Sequence, residues 1–166
     1  MMKPSFRSLA AVLLMGGLVS FPAIAGASSL ESEIELLRSD LKAEKVDIVK
    51  QAVRVEGAKA DAFWPLYRKY QLELDQIGDK RLALIKDYAA NLDRMTDAKA
   101  KSLVKQALDL QSQRTDLLKK YYPSFEKVIG AIEAARLVQV EHLLMALVDV
   151  KLEAELPLFE KTATTP

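Results

Sequence analysis

The sequence predicts an all-α protein, and three features of composition and pattern lead to that prediction. Ala, Leu, Lys, Glu, Gln and Arg, the strongest helix formers, dominate the chain after its first 25 residues. Glycine and proline are scarce, with six of each in 166 residues, and most lie in that first segment or near predicted helix ends. Apolar residues recur at three- and four-residue steps. Four helices with short links predict an antiparallel arrangement, either a closed bundle or a thinner, open hairpin.

The first 25 residues have the pattern of a cleaved secretory signal peptide. Lys3 and Arg7 form a short positive head, and residues 9–19 form an apolar run without charge. Residues 23–25 (Ala-Ile-Ala) give the small-x-small pattern that signal peptidase recognises, with cleavage after Ala27 as the alternative. The apolar run is shorter than the roughly 20 residues that span a bilayer. We therefore expect an exported, soluble protein of the periplasm without stable membrane insertion.

The rest of the chain has the size and charge of one ordinary domain. Cleavage after residue 25 leaves 141 residues, of which 26–160 are predicted to form a single helical domain and 161–166 a disordered tail. Loss of two basic residues leaves 22 basic against 23 acidic residues, a net charge of −1. This balance predicts no nucleic-acid partner. The chain has no cysteine, so we expect neither disulfides nor a cysteine-linked lipid.

The first two predicted helices are long and amphipathic. The first covers about 30–53, capped by Ser29 or Ser32, and the second covers about 59–92. Gly78 inside the second helix marks a bend or a close helix approach. The first helix is predicted to turn an apolar stripe inward and a charged face outward. The apolar stripe of the first helix comprises Leu30, Ile34, Leu37, Leu41 and Ile48, and the solvated face comprises Arg38, Asp40, Lys42, Glu44 and Lys45. The stripe of the second helix comprises Phe63, Tyr67, Tyr70, Leu74, Ile77, Leu84, Tyr88 and Leu92.

The last two predicted helices have clearer boundaries. Thr96 is the expected N-cap of the third helix and Asp97 lies in its first turn, where the helix dipole favours negative charge. Pro123 is predicted to end or kink this helix. The fourth helix is predicted over about 132–154. Its apolar stripe comprises Leu137, Val140, Leu144, Leu147 and Val150.

Arg81 interrupts the apolar stripe of the second helix, and burying a guanidinium without a partner is costly. One hypothesis is that Arg81 pairs with a carboxylate such as Glu141 or Asp109 and fixes the helix register. The alternative is that a bend at Gly78 lets Arg81 reach water. A structural polar network is predicted to comprise Arg81, Arg136, Gln139 and Glu141.

The aromatic segment of the second helix is the candidate binding surface. Aromatic side chains contribute much of the energy of protein interfaces, so this cluster is a candidate contact for a client polypeptide. The alternative is that it closes one end of the core. The candidate client-binding residues are Phe63, Trp64, Leu66, Tyr67 and Tyr70.

The sequence predicts no catalytic, cofactor or metal site. His142 is the single histidine, and neither a phosphate-binding glycine loop nor a nucleophile elbow occurs. His142 and Met145 share a helix face, but a nickel or copper site needs further imidazole or thioether ligands. We therefore expect a protein that is not an enzyme, with His142 at the edge of a packed face.

Several segments resemble one family of small exported helical proteins. Residues 63–70 match an FWPxYxxY pattern, 95–100 are similar to an LTxxQ-type helix start, and 134–141 resemble an AxRxxQxE helix. Residues 156–158 resemble the closing segment. These are features of the Spy/CpxP-type periplasmic chaperones and stress sensors, although Lys99 stands where that family usually has glutamine.

The resemblance implies a thin, curved helical hairpin that holds unfolded clients without ATP and is often a dimer. The expected partners are then unfolded or partly folded envelope proteins, with a homodimer as a further possibility. The alternative function is a regulatory module that docks on an envelope stress-signalling partner. The resemblance implies no cofactor.

Overall fold

The computed structural model describes residues 44–158, and its elements are all helices within that range. They are α1 (described over 44–52), α2 (Gly57–Asn91), a 3-10 turn (Leu92–Arg94), α3 (Asp97–Ile129) and α4 (Ala131–Glu155). The all-α prediction is confirmed. The predicted signal peptide, the predicted start of the first helix and the predicted tail lie outside the described residues.

Local sequence explains the helix boundaries. The Thr96 hydroxyl accepts a hydrogen bond from the Lys99 backbone N–H at 3.2 Å, which confirms Thr96 as the N-cap of α3. Gly130, at φ 88° and ψ 160°, is the single residue between α3 and α4, in a backbone region that is essentially restricted to glycine. Pro123 does not end α3, which continues to Ile129.

The three long helices run alternately up, down and up. Glu73 on α2 accepts hydrogen bonds from Lys120 and Tyr121 on α3, whereas Asp87 near the end of α2 pairs with Lys99 near the start of α3. These contacts place α2 and α3 antiparallel. One residue connects α3 to α4, so α4 turns back and runs parallel to α2.

The helices α2 and α4 stand apart although both pack on α3. No Cα atom of α2 lies within 8 Å of a Cα atom of α4, and side chains bridge the gap between them. The bridges join Tyr67 and Tyr70 to Glu141, Arg81 to Asp149, and Tyr88 to the carbonyl of Pro157.

The main core lies at the end of the bundle that contains Gly57 and Gly130. Phe63 stacks on Tyr67 with ring centroids 5.5 Å apart and contacts Phe125 at 5.8 Å. Val49 and Val53, in and after α1, are buried in the same cluster. A smaller cluster of Leu82, Ile85 and Leu152 lies toward the other end.

Two predicted stripes differ from the buried faces that the structure has. Leu82 and Ile85 are buried on α2, beside the predicted stripe, because side chains of α4, Leu152 above all, pack against them across the gap. Val150 is 67% exposed, although it was placed in the stripe of α4. The inward face of α4 instead follows Leu137, Glu141, Leu144, Val148 and Leu152.

Candidate functional site

An open apolar groove of about 630 Å³ lies among α2, α3 and α4, and we call it the α2–α4 groove. It exists because side chains, rather than closely packed backbones, span the distance between α2 and α4. Its apolar lining includes Leu74, Ile77, Leu82, Ile85 and Tyr88 of α2, Leu103, Val104, Ala107, Leu108 and Leu110 of α3, and Leu144, Met145, Val148, Leu152 and Leu156 in and after α4.

The α3 side of the groove presents apolar side chains to solvent. Val104 and Leu108 are one helical turn apart, line the groove and are 47% and 60% exposed. A single exposed apolar side chain is ordinary on a protein surface. Two that continue into an apolar groove form a contiguous surface to which another apolar group can bind.

Two residues that line the α2–α4 groove, Lys45 and Gln71, contact a buried carboxylate, Glu141. Glu141 is 0% exposed and accepts hydrogen bonds from the Tyr67 hydroxyl at 2.8 Å and the Tyr70 hydroxyl at 3.0 Å. Lys45 of α1, which lines the groove, donates from Nζ to Glu141 Oε2 at 2.9 Å. Gln71 makes a longer contact of 3.4 Å. A buried charge with this many donors is fully compensated.

The tyrosines that contact Glu141 stay protonated at neutral pH. Burial raises the pKa of Tyr67 and of Tyr70 far above the ordinary value for tyrosine, and the negative charge of Glu141 raises both further. Both phenols are therefore hydrogen-bond donors and not bases or nucleophiles. The arrangement is suited to holding α1, α2 and α4 together rather than to chemistry on a substrate.

The middle of the α2–α4 groove contains a carboxylate between two guanidinium groups. Asp149 on α4 accepts two hydrogen bonds from Arg114 on α3, both at 2.9 Å, and one from Arg81 on α2. Burial alone would raise the pKa of Asp149. The hydrogen bond from Arg114 and the charges of both arginines outweigh that effect and hold this pKa below its ordinary value.

The predicted pairing of Arg81 with a carboxylate is thus found, but the predicted partners were wrong. The partner is Asp149 rather than Glu141 or Asp109. Since α2 and α4 run parallel, Glu141 lies beside Tyr67 and Tyr70, about three helical turns along α2 from Arg81.

The four residues of the predicted polar network do not come together. Arg81 joins Asp149, whereas Glu141 joins the two tyrosines and Lys45. Arg136 pairs with Glu133 on its own helix at 2.9 Å, and Gln139 is exposed. The network therefore divides into separate contacts along α4.

The aromatic candidates separate into buried and partly buried residues. Phe63, Tyr67 and Tyr70 have exposed fractions of 0%, 1% and 0%, so these three residues follow the alternative interpretation, a role in the core, and not the client-binding one. Their rings form the core instead. Trp64 and Leu66 are partly buried against that core, and Lys50 Nζ lies 6.0 Å from the centre of the Trp64 ring.

Sequence reasoning missed Lys45, Arg114 and Asp149. Lys45 was placed on a solvated face, but its side chain is only 15% exposed and it reaches the buried Glu141. The signal for Asp149 was its position as a single carboxylate between Val148 and Val150, but the apolar residues of α4 lie on several sides of the helix and did not show which side faces inward.

The described part of the chain offers little for metal binding. His142 is exposed, and Met145 is partly buried in the α2–α4 groove. Among residues 44–158, no three His, Asp or Glu side chains are grouped so that they could hold a metal ion. In the same range, no helix combines the length and apolar character needed to cross a membrane.

Comparison of the chain with protein-family models, curated proteins and solved structures found no match.

Proposed function

We propose that this protein is an exported, ATP-independent chaperone-like protein that holds apolar segments of unfolded or partly folded envelope proteins in the α2–α4 groove. The observation that carries the proposal is the predominantly apolar lining of that groove, which extends to the exposed side chains of Val104 and Leu108. The aromatic residues of the core have a supporting role, since they fix α2 against α3 and thereby shape the groove.

The size and lining of the groove favour a loosely held polypeptide. A volume of about 630 Å³ falls within the range of sites that bind compact apolar groups. The contacts available on Val104 and Leu108 are aliphatic and non-directional, so they distinguish poorly between one apolar segment and another. Weak, unselective binding is what a holding function requires.

Charges of both signs line the same groove. Lys45, Arg81 and Arg114 carry positive charge there, and Asp75 and Glu153 carry negative charge. Charged groups around an apolar surface accelerate encounter more than they increase affinity. Mixed signs suit client segments of varied charge, and the resemblance to Spy/CpxP-type chaperones supports the same proposal.

The test is binding of a permanently unfolded polypeptide, reduced and carboxymethylated α-lactalbumin, to the full chain. Leu108→Asp places a charge on the exposed side of the groove, where it should not disturb folding. We expect binding to fall about tenfold or more, because an apolar contact is replaced by a group that must be desolvated.

Leu72→Asp is the matched control for this experiment. Leu72 is 65% exposed on α2 and does not line the groove, so its replacement should leave binding unchanged. No detectable binding by the unaltered chain, or equal losses in the two variants, would lead us to abandon the groove as a client site.

A further inference from the structure

The direction of α1 relates the first part of the chain to the α2–α4 groove. The backbone N–H of Arg54 donates to Glu133 at 2.9 Å, and Lys45 pairs with Glu141 at 2.9 Å. The nine positions from Lys45 in α1 to Arg54 just after it thus correspond to eight positions from Glu141 back to Glu133 along α4, in the opposite direction. The described part of α1 therefore runs antiparallel to α4, with its first residues nearer to Leu152 and Pro157 than its last.

The length of the preceding segment matches the length of the groove. Residues 30–43 would extend about 21 Å as a helix at 1.5 Å per residue. The stretch of α4 from Glu141 to Glu155 covers nearly the same distance. Lys45 already lines the groove near Glu141, so the described start of α1 lies beside the groove.

The chemistry of the preceding segment matches the lining of the groove. Residues 30–43 contain neither glycine nor proline, and their apolar residues recur at three- and four-residue steps, at Leu30, Ile34, Leu37 and Leu41. On the α4 side, Leu144, Val148 and Leu152 recur at the same spacing. Two such stripes pack as neighbouring helices of a bundle.

We propose that residues 30–43 continue α1 as a helix and dock in the α2–α4 groove as its intramolecular occupant. A tethered segment reaches the groove at an effective concentration in the millimolar range. The docking itself does not depend on the proposed function, because it concerns only the chain's own residues.

Disulfide trapping in the full chain tests the docking directly, because the chain has no cysteine of its own. The register places Leu41 opposite Met145, so Leu41→Cys with Met145→Cys should form an intramolecular disulfide under mild oxidation. Leu41→Cys with Leu143→Cys is the matched control, since Leu143 is 46% exposed, two residues away, and does not line the groove. We expect the first pair to crosslink at least about tenfold faster than the control.

Hydrogen exchange on the chain without cysteines provides a second measurement. Amides of residues 30–43 should exchange at least about tenfold more slowly than in an unstructured peptide. Val148→Glu, in the groove, should remove this protection and leave residues 63–70 protected, whereas Val150→Glu on the exposed face should change neither.

Three results would overturn the proposal. They are equal crosslinking rates for the two cysteine pairs, disulfide-linked dimers as the main product of the first pair, and unprotected amides over residues 30–43 in the unaltered chain. None of these results involves a client, so failure of the docking is distinguishable from failure of the proposed function.

Discussion

Arg114 on α3 and Asp149 on α4 form a bidentate ion pair, with Nη1–Oδ1 and Nη2–Oδ2 distances of 2.9 Å each. Parallel hydrogen bonds of this kind fix orientation as well as distance. Asp149 also accepts a hydrogen bond from Arg81 on α2, so one carboxylate joins three helices at the middle of the groove. This contact holds α2 and α4 at the separation that the groove requires.

Replacing Asp149 with alanine should destabilise the protein more than the loss of a surface ion pair does. The side chains of Arg81 and Arg114 are only 22% and 17% exposed, and both would lose their carboxylate partner. We expect the free energy of unfolding to fall by about 2 kcal/mol, measured by urea unfolding followed by circular dichroism. Asp116→Ala is the control, because its pair with Lys119 is largely exposed and should contribute under about 0.5 kcal/mol. Equal effects of the two changes would contradict this account.

Acidic pH should lower the free energy of unfolding, in part because Asp149 becomes protonated. The pKa of Asp149 in the folded protein lies below its ordinary value, so the ionised carboxylate stabilises the fold. This contribution is fully present above the unfolded pKa of about 3.9 and is lost as the pH falls through the lower folded value. The difference in unfolding free energy between the unaltered chain and Asp149→Asn should therefore shrink below about pH 4. If the difference in unfolding free energy stays constant down to about pH 2, the lowered pKa of Asp149 is contradicted.

Removing the buried carboxylate of Glu141 should cost more than neutralising it. Glu141→Ala leaves the buried hydroxyls of Tyr67 and Tyr70 without their acceptor, and we expect a loss of about 3–5 kcal/mol in unfolding free energy. Glu141→Gln keeps an oxygen acceptor and should cost about 1–2 kcal/mol. Glu126→Ala, an exposed position on α3, should stay within about 0.5 kcal/mol. Chemical unfolding measures the stability of all three variants. A smaller loss of stability for Glu141→Ala than for Glu141→Gln would contradict the hydrogen bonds to the buried carboxylate.

Alkaline pH should weaken the fold through its tyrosines. The hydrogen bond to Glu73 raises the pKa of Tyr121 to about 12, and burial raises the pKa of Tyr67 and Tyr70. Since these groups are neutral in the folded state, their contribution is complete below the unfolded pKa of about 10 and is lost as the pH rises above it. Tyrosinate absorbance should show Glu73→Gln moving the Tyr121 titration toward about 10. If Glu73→Gln leaves the tyrosinate titration curve unchanged, the hydrogen bond from Tyr121 to Glu73 is contradicted.

The helix boundaries were largely predictable because they depend on local chemistry. Thr96 is both a strong N-cap residue and the start of an apolar periodic segment, so local signals agreed there. The continuation of α3 through Pro123 was not decided by local signals. Packing of Phe125 and Ile129 in the core stabilises the helix after the proline by more than the proline costs.

The contacts between helices were less predictable because they depend on register. The sequence indicated that Arg81 needs a carboxylate, but several acidic residues satisfy that requirement. The choice of Asp149 follows from the parallel direction of α2 and α4 and from the rotation of α4 that buries Glu141. The role of the aromatic segment was ambiguous for a different reason. Large aromatic side chains are suited to a binding surface and equally suited to a protein core.

The single-residue connection at Gly130 bears on the order in which the chain assembles. Contacts between α3 and α4 close short loops, whereas every bridge from α2 to α4 joins residues about 70 positions apart. Loop closure costs more entropy over longer separations, so the α3–α4 pair should form early in folding and the bridges to α2 late. Until those bridges form, the apolar side chains between α2 and α4 stay more exposed, so the late folding steps carry the greatest risk of aggregation.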